Sequence, residues 1–177
     1  MEGEGDVTEP VTVWTVGHST HPAERFAELL RAHGIEVLSD VRRFPTSKWP
    51  QFKQENLRSN LAAAGVEYVH IPELGGYRGD DVAHTRTDEF LRGVEQLLAL
   101  GRTRRTAIMC AESMFFRCHR RFIADALVAE AHTVLHIFPE GRTRRHELRR
   151  LLKTYSGTAP DSGGAGTPTT SPRIARR

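Results

Sequence analysis

Short apolar runs and amphipathic segments alternate along most of this chain. Five runs rich in β-branched residues predict buried strands: VTVWTVG, IEVLSDVR, VEYVHIP, TAIMCAE and HTVLHIF. The segments between them carry helical periodicity, and several end at a glycine: HPAERFAELLRAHG, KQENLRSNLAAAG, EFLRGVEQLLALG and CHRRFIADALVAEA. A closing helix is predicted over RTRRHELRRLLK.

This alternation predicts the α/β class, because apolar strands separated by helices form a parallel sheet covered on both faces. We expect one three-layer α/β/α domain over residues 11–153, with a mostly parallel sheet of about five strands. Residues 1–10 and the basic tail 154–177 are rich in Gly, Pro, Ser, Thr and charge, and are predicted to be disordered.

Composition narrows the class of protein further. No apolar run approaches the roughly 20 residues that cross a bilayer, and the acidic start has no signal-like region, which favours a cytoplasmic protein without a membrane partner. Because the cytoplasm is reducing, the two cysteines are not expected to form a structural disulfide. The net charge is +3, but the arginines are clustered. These clusters indicate either a solvated surface or a nucleic-acid footprint.

Candidate chemistry lies where the predicted strands end. In open parallel sheets, ligands bind at the carboxyl ends of the strands. Polar and titratable residues crowd four of these ends: His18 and Ser19; Asp40, Arg42 and Arg43; Glu73; and Cys110 with Glu112.

The same strand ends carry a family resemblance. The stretches VGHST, DVRRFP, YVHIPELGG, CAES…CHR and LHI resemble the bacterial family catalogued as domain of unknown function 488. The resemblance implies a compact α/β domain whose strand-end motifs form one shared site. It also implies, as an expectation only, action on nucleic acids or nucleotides.

Two strand-end motifs each allow two interpretations. In GHST, Ser19 or Thr20 caps the following helix, or His18 and Ser19 bind a ligand. In SDVRRFPTSKWPQF, Asp40 orients a water molecule, or it is a structural partner of Arg42.

The loop after the second strand also offers substrate contacts. Arg42 and Arg43 are candidates for holding phosphate. The loop aromatics either stack on a base or pack against the core: Phe44, Trp49 and Phe52. A further loop, ELGGYRG, places Glu73, Tyr77 and Arg78 in a lid or in an ordinary connection.

CAESMFFRCHRRF, residues 110–122, holds both cysteines and supports three interpretations. Cys110, Cys118 and His119 form a metal clasp, although the spacing matches no paired zinc motif. Alternatively, Cys118 is a nucleophile beside His119. In the favoured interpretation, Glu112 performs acid–base chemistry while His119 and Arg120 bind an anion at a helix start. Cys110 and Cys118 then only line the substrate site.

Together these features predict a nucleic-acid-directed hydrolase, most concretely a DNA glycosylase that excises a damaged or modified pyrimidine in DNA repair. Its catalytic residues would be Asp40, Glu112, His119 and His18, with a carboxylate-activated water and no cofactor or metal. One alternative is a hydrolase or transferase acting on a nucleotide or another phosphorylated small molecule, with a cysteine as a candidate nucleophile. Another is a non-catalytic nucleic-acid-binding module. The oligomeric state stays open.

Overall fold

The computed structural model describes residues 9–76 and 81–148 of the chain, and they form an α/β fold. The strands are β1 (Thr12–Gly17), β2 (Val37–Asp40), β3 (Glu67–His70), β4 (Thr106–Cys110), β5 (Thr133–Ile137) and β6 (Thr143–Arg145). The helices are α1 (Ala23–Ala32), α2 (Gln54–Ala63), α3 (Asp81–His84), α4 (Asp88–Thr103) and α5 (Arg120–Ala129). None of these helices has the length and apolar character needed to cross a bilayer.

The sheet has the strand order β3-β2-β4-β1-β5-β6. The first five strands along the chain pair in parallel, and β6 pairs antiparallel with β5. The mostly parallel sheet and the five predicted strands are therefore confirmed. The sixth strand is an addition at the sheet edge.

Helices cover both faces of the sheet, because every parallel connection crosses over through a helix. On one face, Phe26 and Leu30 of α1 and Leu57 of α2 pack with buried strand residues into one core. On the other face, Leu97 of α4 and Leu127 of α5 belong to a second core. The three layers that the sequence predicted are thus present.

The predicted closing helix is wrong at its start, because Thr143–Arg145 is strand β6. A tight turn reverses the chain: Gly141 has φ +92°, and the Phe138 N–H donates to the Arg142 carbonyl over 2.9 Å. The local sequence favours a helix, but the open edge of β5 offers backbone partners that a helix here would forgo. Residues 146–148 of the predicted helix are not helical either, and residues 149–153 lie outside the described chain, as do residues 1–8 and the rest of the tail to 177.

Candidate active site

A pocket opens between the carboxyl ends of β1 and β4. These strands are neighbours, yet β1 leads into α1 on one face of the sheet and β4 leads towards α5 on the other. Such a divergence leaves a crevice that binds ligands in open α/β sheets. The pocket has a volume of about 460 Å³ and is lined by residues 18–20, 46–49 and 111–113.

Backbone contacts tie the two strand ends together beneath this pocket. The N–H of His18 donates to the carbonyl of Cys110 over 2.9 Å, and the N–H of Ser19 donates to that of Ala111 over 3.0 Å. A Cβ at Gly17 would lie 2.0 Å from the carbonyl oxygen of Glu112, so only glycine lets the end of β1 and the loop after β4 approach this closely. Gly17 therefore allows the loop after β4 to pack directly against the end of β1.

The GHST turn lines the pocket and does not cap the helix. The N-cap residue of α1 is Pro22, and no side chain caps that helix end, so the capping interpretation of Ser19 and Thr20 is wrong. Ser19 has φ 47°, in the left-handed region that residues with a Cβ rarely adopt. Backbone strain of this kind concentrates at functional sites, which supports a ligand role for His18 and Ser19.

Glu112 brings a carboxylate to the pocket. Its Oε1 accepts a hydrogen bond from the Ser113 hydroxyl at 3.2 Å and one from the Met114 N–H at 3.1 Å. These two contacts fix the side chain on its own loop. Its Oε2 accepts no hydrogen bond from the described residues, and Glu112 is exposed, so this carboxylate can still accept a proton from water.

Asp40, in contrast, is fully buried and its acceptor capacity is filled. Arg42 donates to it from Nε at 2.8 Å, from Nη2 at 2.6 Å and from the backbone N–H at 3.1 Å. The Tyr68 hydroxyl adds a fourth bond at 2.7 Å. Burial, with the neighbouring Asp40 charge, raises the pKa of Tyr68, so that this hydroxyl keeps its proton. This geometry favours the structural interpretation of Asp40 over catalysis.

Arg42 is likewise committed to the protein. Its Nη1 donates to the carbonyls of Phe52 at 2.9 Å and Thr46 at 3.2 Å, which anchors the loop that borders the pocket. Arg42 is thus a loop support: it is buried, and each of its three guanidinium nitrogens donates to the protein. Arg43 contacts Glu89 at 3.4 Å, on the side of α4, and does not line the pocket.

The three loop aromatics occupy different environments. Phe52 is buried and stacks on the His18 ring with 4.0 Å between centroids, so it belongs to the core. Phe44 is 76% exposed and lies outside the pocket lining. Only Trp49 lines the pocket, with the Lys48 ammonium 5.6 Å from its ring centroid.

The ELGGYRG loop makes no described contribution to the pocket. Glu73 is half-buried, and its carbonyl accepts a hydrogen bond from His84 over 2.8 Å. Tyr77 and Arg78 lie outside the described residues. A lid formed by this loop stays a prediction.

Both cysteines meet the His119 ring next to the pocket. The His119 Nδ1 lies 3.8 Å from the Cys110 Sγ and 3.6 Å from the Cys118 Sγ, and its Nε2 donates to the Val41 carbonyl at 3.0 Å. A hydrogen bond from Cys110 lowers the pKa of Cys118 well below its usual range, and His119 and Arg120 act in the same direction. Cys118 is buried, and neither thiol lines the pocket.

Arg120 is a buried cation that supports the loop after β4. It is 1% exposed, and it donates to the Thr15 hydroxyl at 3.3 Å and to the carbonyls of Glu112 and Ser113. It forms no ion pair within the described chain, and its Nε has no hydrogen-bond partner there. Arg120 therefore stabilises the backbone on which Glu112 sits and does not reach a substrate in the pocket.

A buried polar chain continues from Thr15 towards the surface. The Thr15 hydroxyl contacts His136 Nδ1 at 2.7 Å, His136 Nε2 contacts His146 Nδ1 at 2.9 Å, and His146 Nε2 contacts Asp125 at 2.7 Å. The Phe115 ring covers His136 in a parallel stack with 3.5 Å between centroids. His136 is thus a hydrogen-bonded core histidine, as its apolar strand predicts.

The buried histidines give a testable dependence of stability on pH. Burial lowers the pKa of His18 to about 4 and that of His136 to about 3, in the latter case with help from His146 and Arg120. As the pH is lowered from 6.5 to 4, these histidines become protonated in the unfolded chain but stay neutral in the folded chain. The free energy of unfolding therefore decreases as the pH is lowered. We expect a loss on the order of 5 kcal/mol over this range, from about 1.4 kcal/mol per pKa unit. Urea unfolding at several pH values measures it.

A matched pair of variants separates this effect from general acid denaturation. His136→Gln should flatten the pH dependence, whereas His33→Gln should leave it unchanged because the His33 ring makes no hydrogen bond in the described structure. An unchanged slope in His136→Gln would contradict the assignment.

Several residues of the site were missed by sequence reasoning. Thr46, Ser47 and Ser113 line the pocket, and Tyr68 completes the shell of Asp40. Thr46 and Ser47 could have been identified from the sequence, because they lie in the polar segment TSKW directly after a proline. The role of Tyr68 could not be identified from the sequence, because its contact with Asp40 depends on the pairing of β3 with β2.

Comparison with known proteins identifies a family but not a reaction. A family model described as "Domain of unknown function DUF488" matches residues 22–83 and 80–127. No curated protein and no solved structure matches the chain at a significant level.

Proposed function

The chain belongs to the DUF488 family, whose description assigns no activity, and we propose from the pocket itself that the protein hydrolyses N-glycosidic bonds in nucleic acid. In the most concrete form, it is a DNA glycosylase that removes a modified pyrimidine. The observation that carries the proposal is the exposed Glu112 carboxylate in a pocket that Trp49 also lines.

The proposed reaction needs one carboxylate and a water molecule. Glu112 accepts a proton from water as the water oxygen bonds to the anomeric carbon of the sugar. The bond from that carbon to the base nitrogen breaks, and the base leaves with the bonding electron pair and then gains a proton. The sugar passes through an oxocarbenium-like state, which the negative charge of Glu112 also stabilises.

The rest of the pocket lining fits a nucleotide. Hydroxyl groups of Ser19, Thr46 and Ser47 are hydrogen-bonding partners for sugar and phosphate oxygens, and Lys48 supplies a cation for phosphate. The flat face of Trp49 suits a base that has been turned out of the stack. A volume of about 460 Å³ is within the usual range for small-ligand sites.

The direct test is a panel of duplex oligonucleotides that each carry one altered base. The proposal expects abasic sites, read as strand breaks after alkali, for at least one modified pyrimidine. The same bases are supplied as free nucleosides and nucleotides in parallel. Turnover of the free compounds alone would replace the proposal with a nucleotide hydrolase. Salt-dependent binding without any product would replace it with a binding module.

The cysteine-dependent alternative has one observation in its favour, the lowered pKa of Cys118. Against it, Cys118 is only 7% exposed and lies outside the pocket lining, whereas an attacking thiolate must reach the substrate. Loss of turnover in Cys118→Ser with full turnover in Glu112→Gln would favour this alternative.

Trp49→Ala is expected to weaken substrate binding more than turnover. Stacking of one base on an aromatic ring contributes about 1–3 kcal/mol, so KM for the duplex should rise roughly ten- to hundredfold while kcat changes little. Steady-state kinetics on the responsive duplex measures both. Phe44→Ala is the matched control and should change neither, because Phe44 lies outside the pocket lining. Equal effects of both variants would contradict the assignment of Trp49.

A further inference from the structure

A second set of chemically active side chains lies beside the pocket and takes no part in the proposed hydrolysis. It comprises Cys110 at the end of β4, Cys118 just before α5, and His119. Their sulfur and nitrogen atoms all lie within 4.8 Å of one another. We propose that these residues bind a thiophilic d10 metal ion, Zn²⁺ or Cu⁺, through two thiolates and one imidazole.

The distances match a shared metal ligand set. Metal–sulfur bonds of about 2.3 Å and metal–nitrogen bonds of about 2.0 Å, at tetrahedral to trigonal angles, separate sulfur from nitrogen by roughly 3.5–3.8 Å. The His119 Nδ1 lies 3.6 Å from one sulfur and 3.8 Å from the other. Both thiols therefore meet at a single ring nitrogen. One lone pair cannot satisfy two thiol donors well, but an ion between the three atoms can be bound by all of them.

The backbone prepares His119 for this role. Because Nε2 donates to the Val41 carbonyl at 3.0 Å, its proton is placed there and Nδ1 is directed at the sulfurs. Metal-binding histidines commonly hold their ring in this way, through a hydrogen bond to a carbonyl or a carboxylate. Gly76 packs against the other side of the ring, where a Cβ would lie 3.1 Å from the His119 Cβ and Cγ. The imidazole is thus fixed before any ion binds.

Nearby arginines argue against a cation when only the sequence is considered, and the structure changes that balance. The charge of Arg42 is neutralised by Asp40, with which it forms a buried ion pair at 2.6 Å. Arg120 is buried and has no carboxylate partner among the described residues. Two thiolates, Arg120 and a monovalent ion sum to zero charge, whereas a divalent ion leaves one positive charge for an anionic fourth ligand. Soft thiolate sites accept both kinds of ion.

The bound ion would also close a loop. Residues 111–117 connect the two cysteines and carry Glu112 and Ser113 into the pocket. An ion bound to both ends of this segment would restrict its motion, since it adds a cross-link to the hydrogen bonds that already hold the segment. The ion would therefore position the loop without touching the substrate.

The test uses the full-length reduced protein, with Zn²⁺ in one arm and Cu⁺ under anaerobic conditions in the other. Each arm is titrated against a chromophoric chelator that competes for the ion. The proposal expects one ion bound per chain in at least one arm, and slower hydrogen exchange of residues 111–117 when it is bound. Cobalt substitution of the unmodified protein should give thiolate-to-metal charge-transfer absorption, a readout that needs no variant.

Cys118→Ser and His119→Gln should each lower metal affinity at least about 100-fold, while His33→Gln should not change it. Circular dichroism shows whether each variant is folded. The proposal is overturned if neither ion is retained, if Cys118→Ser binds as tightly as the unmodified protein, or if cobalt binds without charge-transfer absorption. None of these readouts depends on glycosidic activity, so the two proposals can fail separately.

Discussion

Replacing Glu112 with glutamine is expected to lower kcat for hydrolysis of the responsive duplex by about 10³-fold, because general-base catalysis typically contributes 10²–10⁴. Glutamine keeps the size of the side chain and the Oε1 acceptor for the Ser113 hydroxyl and the Met114 N–H. It removes the basic oxygen that takes the proton from water. Affinity for the duplex, measured by fluorescence anisotropy, should stay within a few-fold of the original.

Glu140→Gln is the matched control for this substitution. Glu140 is also exposed and hydrogen-bonded, but it contacts Arg142 in the turn before β6 and does not line the pocket. Its replacement should leave kcat unchanged. Retention of full activity in Glu112→Gln would remove the observation on which the proposed function rests.

Replacing Asp40 with asparagine is expected to cost about 3–5 kcal/mol of stability, the usual effect of removing one partner from a buried ion pair. Asparagine has one acceptor oxygen, whereas Asp40 accepts four hydrogen bonds, and the charge of Arg42 would stay buried without compensation. Urea unfolding with an unchanged m-value measures the loss. Asp88→Asn, at the exposed first turn of α4, should cost less than about 1 kcal/mol.

Turnover of the Asp40 variant then separates structure from catalysis. At a temperature where the variant is folded, we expect kcat to fall far less than in Glu112→Gln. An equal fall in both variants would show that Asp40 takes part in the chemistry, contrary to its filled hydrogen-bond shell.

The sequence predicted those elements whose periodicity is local. β1 to β5 and their crossover helices each carry a complete apolar pattern, so their positions needed no tertiary information. Thr143–Arg145 was predicted as helix because it belongs to the run RTRRHELRRLLK, which is rich in the helix formers arginine and leucine, whereas its strand form depends on pairing with β5. The order of the strands in the sheet could likewise not be predicted from the sequence, since it depends on contacts between segments that are distant along the chain.

The candidate site was predictable to the level of strand ends and no further. Asp40 and Glu112 look alike in sequence, as acids that follow apolar runs. The structure distinguishes them through a tyrosine of the neighbouring strand and an arginine two residues later, which fill the acceptors of one acid only. In the same way, the meeting of both thiols at His119 depends on the Val41 carbonyl, which lies 78 residues earlier in the chain.

The buried polar chain from Arg120 to Asp125 has a direction that follows from its two ends. A guanidinium can only donate and a carboxylate can only accept, so the hydrogen atoms between them are assigned while both rings are neutral. Thr15 must donate to His136 Nδ1, His136 Nε2 must donate to His146 Nδ1, and His146 Nε2 must donate to Asp125. Each neutral ring then carries its hydrogen on Nε2. In this state every hydrogen bond from Arg120 to Asp125 points the same way, so a change of tautomer in one ring alone would leave two acceptors facing each other.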